Sequence, residues 1–225
     1  MPQGRQFNQL VLHRTEEVGG SGADADSYFN RLAQHASGLR FSAIGKVLSP
    51  HLAARFGGTK GVDYVLAVKV VAMGGTNSPS VAQDCHMGIL ASQGVKLEHF
   101  MSYEKALDTT TDMTGIMYDD LISVLRFIPS ERTLHAGPDR ELLARAFRGY
   151  AVAEVPTSPA KCFGFCADIN KPEATRASTF TAWGTHIQSR PGVSSALPDK
   201  LVSLQVCTMR SLCLPYVTST YLRRL

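Results

Sequence analysis

The chain is short of the features that most quickly identify a function. It has only five cysteines in 225 residues, an odd number without framework spacing. That excludes a disulfide-built secreted scaffold and predicts reduced thiols in an intracellular compartment, nucleus or cytoplasm, with an organelle as a further option. No apolar run approaches the length of a membrane span. MPQGRQFNQLVLHR at the start has no small-residue cleavage site, so no secretory signal is read. Charged residues make up only 19%, against 44% hydrophobic, which favours a packed core over disorder.

Motif absences narrow the field further. GGTNSPS sits between a predicted strand and a predicted helix, yet neither G-x-x-x-x-G-K-S/T nor G-x-G-x-x-G is present. A helix cap at Ser78 followed by Pro79 explains the stretch. Cys162 and Cys166, four apart on a predicted strand, would stand roughly 13 Å apart, too far for one zinc or a disulfide. Cys207 and Cys213 lack histidine at ligand spacing. No metal site, cofactor or catalytic residue is therefore assigned.

Charge is present but uneven. The net charge is +4. The first 120 residues carry ten basic against twelve acidic side chains, and the rest carry thirteen against seven. A basic C-terminal half suits a polyanion partner.

Periodicity gives an order of elements. In the first hundred residues, strands are predicted at 8–14, 46–53, 62–73 and 95–101. Helices are predicted after a cap at Asp26, with Tyr28 through Ala36 at helical spacing and either a stop at Gly38 or a run through Leu39–Phe41, and from Pro79 to Gly94. Val62–Met73 is the firmest strand, being rich in β-branched residues. EEVGGSGADAD reads as a loop, and 102–120, polar and threonine-rich, reads as a linker. The order then repeats. Strands are expected at Ile122–Ile128, Tyr150–Val155 and 161–168, with helices at Pro138–Arg148 and Lys171–Trp183. Leu201–Cys207 is a strand by alternation, with a helix through Leu212 as the alternative. Two β-α-β-β-α-β units predict an α+β protein of two ferredoxin-like domains. Each would have a four-stranded antiparallel sheet with two helices on one face.

KCFGFCAD, 161–168, gives the second unit an identity. It resembles the third-strand octamer of the RNA-recognition motif, matching at Lys161, Phe163, Gly164 and Phe165. AFRGYAVAEV and KPEATRASTFTAWGTHIQSR are similar to the flanking elements of that family. The resemblance implies residues 1–101 as a degenerate copy, 102–120 as linker, and 121–225 as the clearer module with a C-terminal extension. In it, Phe163 and Phe165 would share an open sheet face and stack on bases of single-stranded RNA. Lys161, and with it Arg126 or Arg190, would contact phosphates, and Val124 would take the usual first-strand aromatic position.

The function expected is non-catalytic RNA binding in RNA processing, stability or translation, with no membrane partner and a possible protein partner for the first domain. Two other classes stay open. One is a non-catalytic assembly subunit. The other is a small ferredoxin-like enzyme with Cys85 as nucleophile and a histidine from elsewhere in the chain.

Overall fold

The computed structural model describes residues 4–73, 75–102, 113–129, 138–171 and 174–212. Its centre is a three-stranded antiparallel sheet built from β1 (Glu17–Asp24), β4 (Met113–Met117) and β5 (Asp120–Phe127), in the order β1-β5-β4. β1 pairs with β5 along its whole length, from Glu17 opposite Phe127 to Asp24 opposite Asp120. Two smaller sheets complete the described residues. β2 (Ala43–Ile44) pairs with β3 (Leu66–Ala67), and β6 (Thr179–Ala182), β7 (Thr185–Gln188) and β8 (Val193–Ala196) form a meander.

This overturns the expected architecture. Among the described residues no sheet has four strands with two helices on one face. β1 and β5, assigned by sequence to different ferredoxin-like units, belong to one sheet. The reason lies in EVGGSGAD, whose glycines suggested a loop. On β1 they make room for aromatic rings. A Cβ on Gly20 would stand 2.5 Å from the Phe180 ring, and one on Gly22 would stand 2.4 Å from the Phe163 ring. Glycine here marks close approach within a strand, not a chain reversal.

Strand alternation sorts the sheet's two faces. Val18, Ile122, Val124 and Met113 point to a core shared with Phe180, Ala182 and Ile187 of the meander and with Phe7. Ala23, Leu121 and Ile116 point to the other core. That second core is filled by α3 (Ser78–Ser92) and α4 (Pro138–Val152), through Ala82, Leu90, Leu143, Ala146 and Tyr150. Asp139 and Arg176 form a buried bidentate pair, with both hydrogen bonds at 2.7 Å. The Arg176 guanidinium also lies over the rings of Phe165 and Phe127.

Other local readings shift as well. Lys46–Ala53 is not a strand: Ser49 caps the short helix α2 (Pro50–Arg55), with proline in its first turn. The helix expected after Asp26 shrinks to α1 (Tyr28–Arg31). Residues 8–14 and 95–101 hold 3-10 turns and irregular chain in place of strands. Of Val62–Met73 only Leu66 and Ala67 are in a strand. Part of the stretch read as a linker, Met113–Met117, is β4. α4 runs on through Gly149 to Val152, so Tyr150–Val155 is no strand. Within the helix expected at 171–183, residues 174–178 are irregular chain and Thr179–Ala182 is β6, followed by a turn; 172 and 173 lie outside the described residues. At the C-terminal end the helical alternative holds, as α5 (Pro198–Leu212). Cys213 and the tail PYVTSTYLRRL lie outside the described residues.

Candidate metal centre

The sheet ends in three carboxylates. β4 and β5 are joined by the two-residue turn Tyr118-Asp119, and β5 begins at Asp120. Asp24, the last residue of β1, is the cross-strand partner of Asp120. One oxygen each from Asp24, Asp119 and Asp120 lies within 4.8 Å of the others. Directly opposed like charges on neighbouring strands destabilise a sheet. Here a third carboxylate is added to such a pair.

The site's electrostatics follow from this crowding. Burial, then the charges of Asp119 and Asp24, push Asp120 up to about 7. Burial is also the main cause that raises Asp119. Among the described residues the ion pair to these acids comes from Lys161: its Nζ donates to Asp24 Oδ2 at 2.7 Å, and that bond raises the lysine. A single ammonium leaves negative charge uncompensated, which is the environment a divalent cation takes. Oxygens sharing one magnesium stand roughly 3–4 Å apart, given metal–oxygen bonds near 2.1 Å.

Backbone contacts hold the carboxylates in place. Ala25 N–H donates to the Asp119 carbonyl at 2.8 Å, tying the end of β1 to the turn. Ser158 N–H donates to the Asp24 carbonyl at 2.9 Å. Tyr118 has φ +57°, left-handed for a residue with a Cβ, which costs about 1–3 kcal/mol. Its peptide is held from α3. Gln83 Oε1 accepts from Tyr118 N–H at 2.9 Å, and His86 Nδ1 lies 2.6 Å from the Tyr118 carbonyl. A carbonyl only accepts, so Nδ1 carries the proton. His86 Nε2 then accepts from the Tyr150 hydroxyl at 2.6 Å. Burial lowers His86 to about 4, so the ring is neutral at pH 7.

A cleft of about 740 Å³ opens over the acids. Its walls include Lys161, Phe163, Phe180, Trp183 and Lys200. Phe163 and Phe180 stack on each other with centroids 5.3 Å apart.

The residues assigned from sequence to RNA contact are scattered. Lys161 is at the site, and Phe163 lines the cleft beside it. Phe165 does not share the face of Phe163. Gly164 takes φ +62° and begins a 3-10 turn, so alternation fails and Phe165 enters the core at 0% exposure. Val124 is likewise at 0% exposure. A base has no access to either side chain. Arg126 donates to the Val11 carbonyl at 2.9 Å and pairs with Glu16. Arg190 pairs with Glu17. Cys85 is exposed on α3, whereas its neighbour His86 is buried with both ring nitrogens engaged. His86 therefore cannot serve Cys85 as a base.

Cysteine and histidine spacing does not point to Asp24, Asp119 and Asp120. One signal was available. In MTGIMYDDLISVLRF, two apolar runs flank two adjacent acids, the pattern of a hairpin with carboxylates at its tip. Nothing local in the sequence points to Asp24 as their partner.

Among the described residues no helix is long and apolar enough to cross a membrane. No protein-family profile matches the chain, and no curated protein sequence matches it. Among solved structures it is similar to the foamy viral protease-reverse transcriptase in complex with double-stranded DNA. That match has 12% identity and a TM-score of 0.49, over 91% of this chain and 26% of that one. It is also similar to apo telomerase from Candida tropicalis, truncated from the C-terminal domain. There the identity is 11% and the TM-score 0.42, over 86% of this chain and 37% of that one. The chain thus spans well under half the length of either.

Proposed function

We propose that this chain carries a divalent-cation-dependent centre for phosphoryl transfer on nucleic acid, of which nucleotide addition to a strand end is the form to test. This replaces the non-catalytic module suggested by the sequence. The observation that carries it is the meeting of Asp24, Asp119 and Asp120 beside Lys161 at the open end of one sheet. Likeness to the two solved structures carries no part of it.

The chemistry explains why these residue types are needed. Magnesium dehydrates reluctantly and is held by one or two carboxylates together with substrate phosphates. Bound there, such ions would polarise the phosphoryl oxygens and lower the pKa of an attacking hydroxyl. Asp24, Asp119 and Asp120 supply the anionic ligands from a rigid sheet end. Lys161, 63% exposed at its side chain, offers a point charge to a polyphosphate. In the reaction a strand-end hydroxyl gives up its proton to solvent and bonds to the α-phosphorus of a nucleoside triphosphate. The bond from that phosphorus to the diphosphate breaks, and the diphosphate leaves with the electron pair. Phe163 and Trp183, both half-buried, give the cleft aromatic surface against which a base can pack. Single-stranded RNA is the proposed partner along it.

The test is incorporation of labelled nucleotide on a primed RNA template with magnesium, comparing the wild type with Asp119→Asn and Asp120→Asn. Extension by the wild type, lost in either variant and on chelation, is the expected result. Strand cleavage without extension would make the centre a nuclease. Neither activity, with no manganese binding, would overturn the reading.

A second reading concerns the segment 36–73. Phe41, Phe56, Val62, Val65, Leu66 and Met73 are exposed there, a density of apolar surface that suits a protein partner. Unchanged monodispersity and no loss of binding partners after Phe41→Ser/Phe56→Ser would remove it.

A further inference from the structure

The carboxylates stand at the end of a sheet, but the turn that carries Asp119 is held by a helix on the sheet's other side. Gln83 and His86 are three residues apart on α3 and so share one face. Gln83 makes two bonds to the hairpin. Its Nε2 donates to the Ile116 carbonyl at 3.0 Å, and its Oε1 accepts from Tyr118 N–H at 2.9 Å. His86 takes the other side of the same peptide unit sequence through the Tyr118 carbonyl. Both polar ends of Tyr118 are thereby satisfied by α3, not by strand pairing, at the residue with left-handed backbone.

The helix is itself anchored. Ala82 and Leu90 are fully buried, and Tyr150 of α4 backs the His86 ring. The Tyr28 hydroxyl donates to the Ala82 carbonyl at 3.2 Å, so α3 also grips the chain that leaves β1 just after Asp24. α3 thus holds the Tyr118-Asp119 turn directly and touches the chain four residues beyond Asp24. Core packing alone would call for apolar side chains at positions 83 and 86. A glutamine and a histidine with every polar atom directed at the turn and its support have a different task.

We infer that Gln83 and His86 are positioning residues, which hold the Tyr118-Asp119 turn in its left-handed form and so set the spacing of the three carboxylates for a cation. This rests on the reading of Asp24, Asp119 and Asp120 as a cation centre. Outer partners of metal-binding groups typically govern affinity by about 10–100-fold.

The test is manganese binding to the full chain, followed by electron paramagnetic resonance of the free ion, with circular dichroism and thermal melts on each variant. Gln83→Leu and His86→Leu are each expected to weaken manganese by about tenfold or more. His86→Asn is the conservative variant. Its side-chain amide can still donate to the Tyr118 carbonyl while giving up Tyr150, and it is expected to restore affinity to within about threefold of wild type. Gln83→Glu keeps the acceptor for Tyr118 N–H and tests the turn without emptying the space. Wild-type manganese affinity in folded Gln83→Leu and His86→Leu, whatever their melting temperatures, would overturn the inference. Failure of His86→Asn to recover affinity lost in His86→Leu would overturn it for His86. A wild type that binds no manganese would remove the cation centre itself, and this assignment with it.

Discussion

Two stretches of this chain look alike as sequence and fare differently in the fold. Val62–Met73 and Met113–Phe127 are both rich in β-branched and aliphatic residues. The second forms a hairpin whose strands lie between two cores, with Leu121 and Val124 at 0% exposure. The first contributes two residues to a two-stranded sheet and leaves Val62, Val65 and Leu66 about half exposed, at 53%, 49% and 50%. Strand propensity expresses fit to a pleated, half-buried surface. Where β1 and two helices supply that surface, propensity becomes structure. Where only Ala43–Ile44 is available, it does not.

Substitutions can break this contrast or sharpen it. The largest effect is expected at the buried pair behind the hairpin. Asp139→Ala leaves Arg176 with its charge in the core and should cost about 3–5 kcal/mol in a denaturant melt. Leu121→Ala, between sheet and helices, should cost about 2–5 kcal/mol by the same measurement. Gly22→Ala drives a methyl into the Phe163 ring and should cost about 1–3 kcal/mol. Adding Phe163→Leu to it should recover part of that loss. Val65→Ser, on the exposed stretch, should stay within about 0.5 kcal/mol. A cost there equal to that of Leu121→Ala would mean that the stretch is covered in solution and the contrast false.

The acidic tip adds a contrast that depends on pH. Asp120 is raised from 3.8 to about 7 in the folded chain. The folded state therefore holds this proton more tightly than the unfolded state does. Stability from it is fully present below pH 4 and is lost as pH rises through about 7. In the absence of divalent cations the melting temperature should fall across that window. Asp120→Asn should flatten the slope. Manganese should raise the melting temperature more at pH 8 than at pH 5.5, because a cation needs the carboxylates ionised. A melting temperature independent of pH between 4 and 7 would contradict the raised carboxyl.

Legibility of the fold varied for physical reasons. α3 is readable because Pro79 opens it and Gly94 closes it, and α4 because an apolar stripe of helical period follows Pro138. β5 is readable as a run of strand formers bounded by acids. β1 is not, because its glycines answer to Phe163 and Phe180, rings some 140 or more residues away along the chain. KCFGFCAD misled in the opposite way. Its spacing matches an RNA-binding strand, but a bridge to Gly22 and the left-handed Gly164 turn it into a 3-10 corner. The charge of Lys161 brings it to the acidic tip, whereas the ring of Phe165 takes it into the core.

By itself, the sequence determined α3, α4, the strand run of β5 and the basic balance of the C-terminal half. Each depends on neighbours a few residues apart or on simple composition. Only the tertiary structure decided that Asp24 meets Asp119 and Asp120, that Lys161 joins them, and that a glutamine and a histidine on α3 hold the turn. Those meetings depend on which strands pair. Pairing is set by the burial of side chains from opposite ends of the chain, which no local pattern encodes.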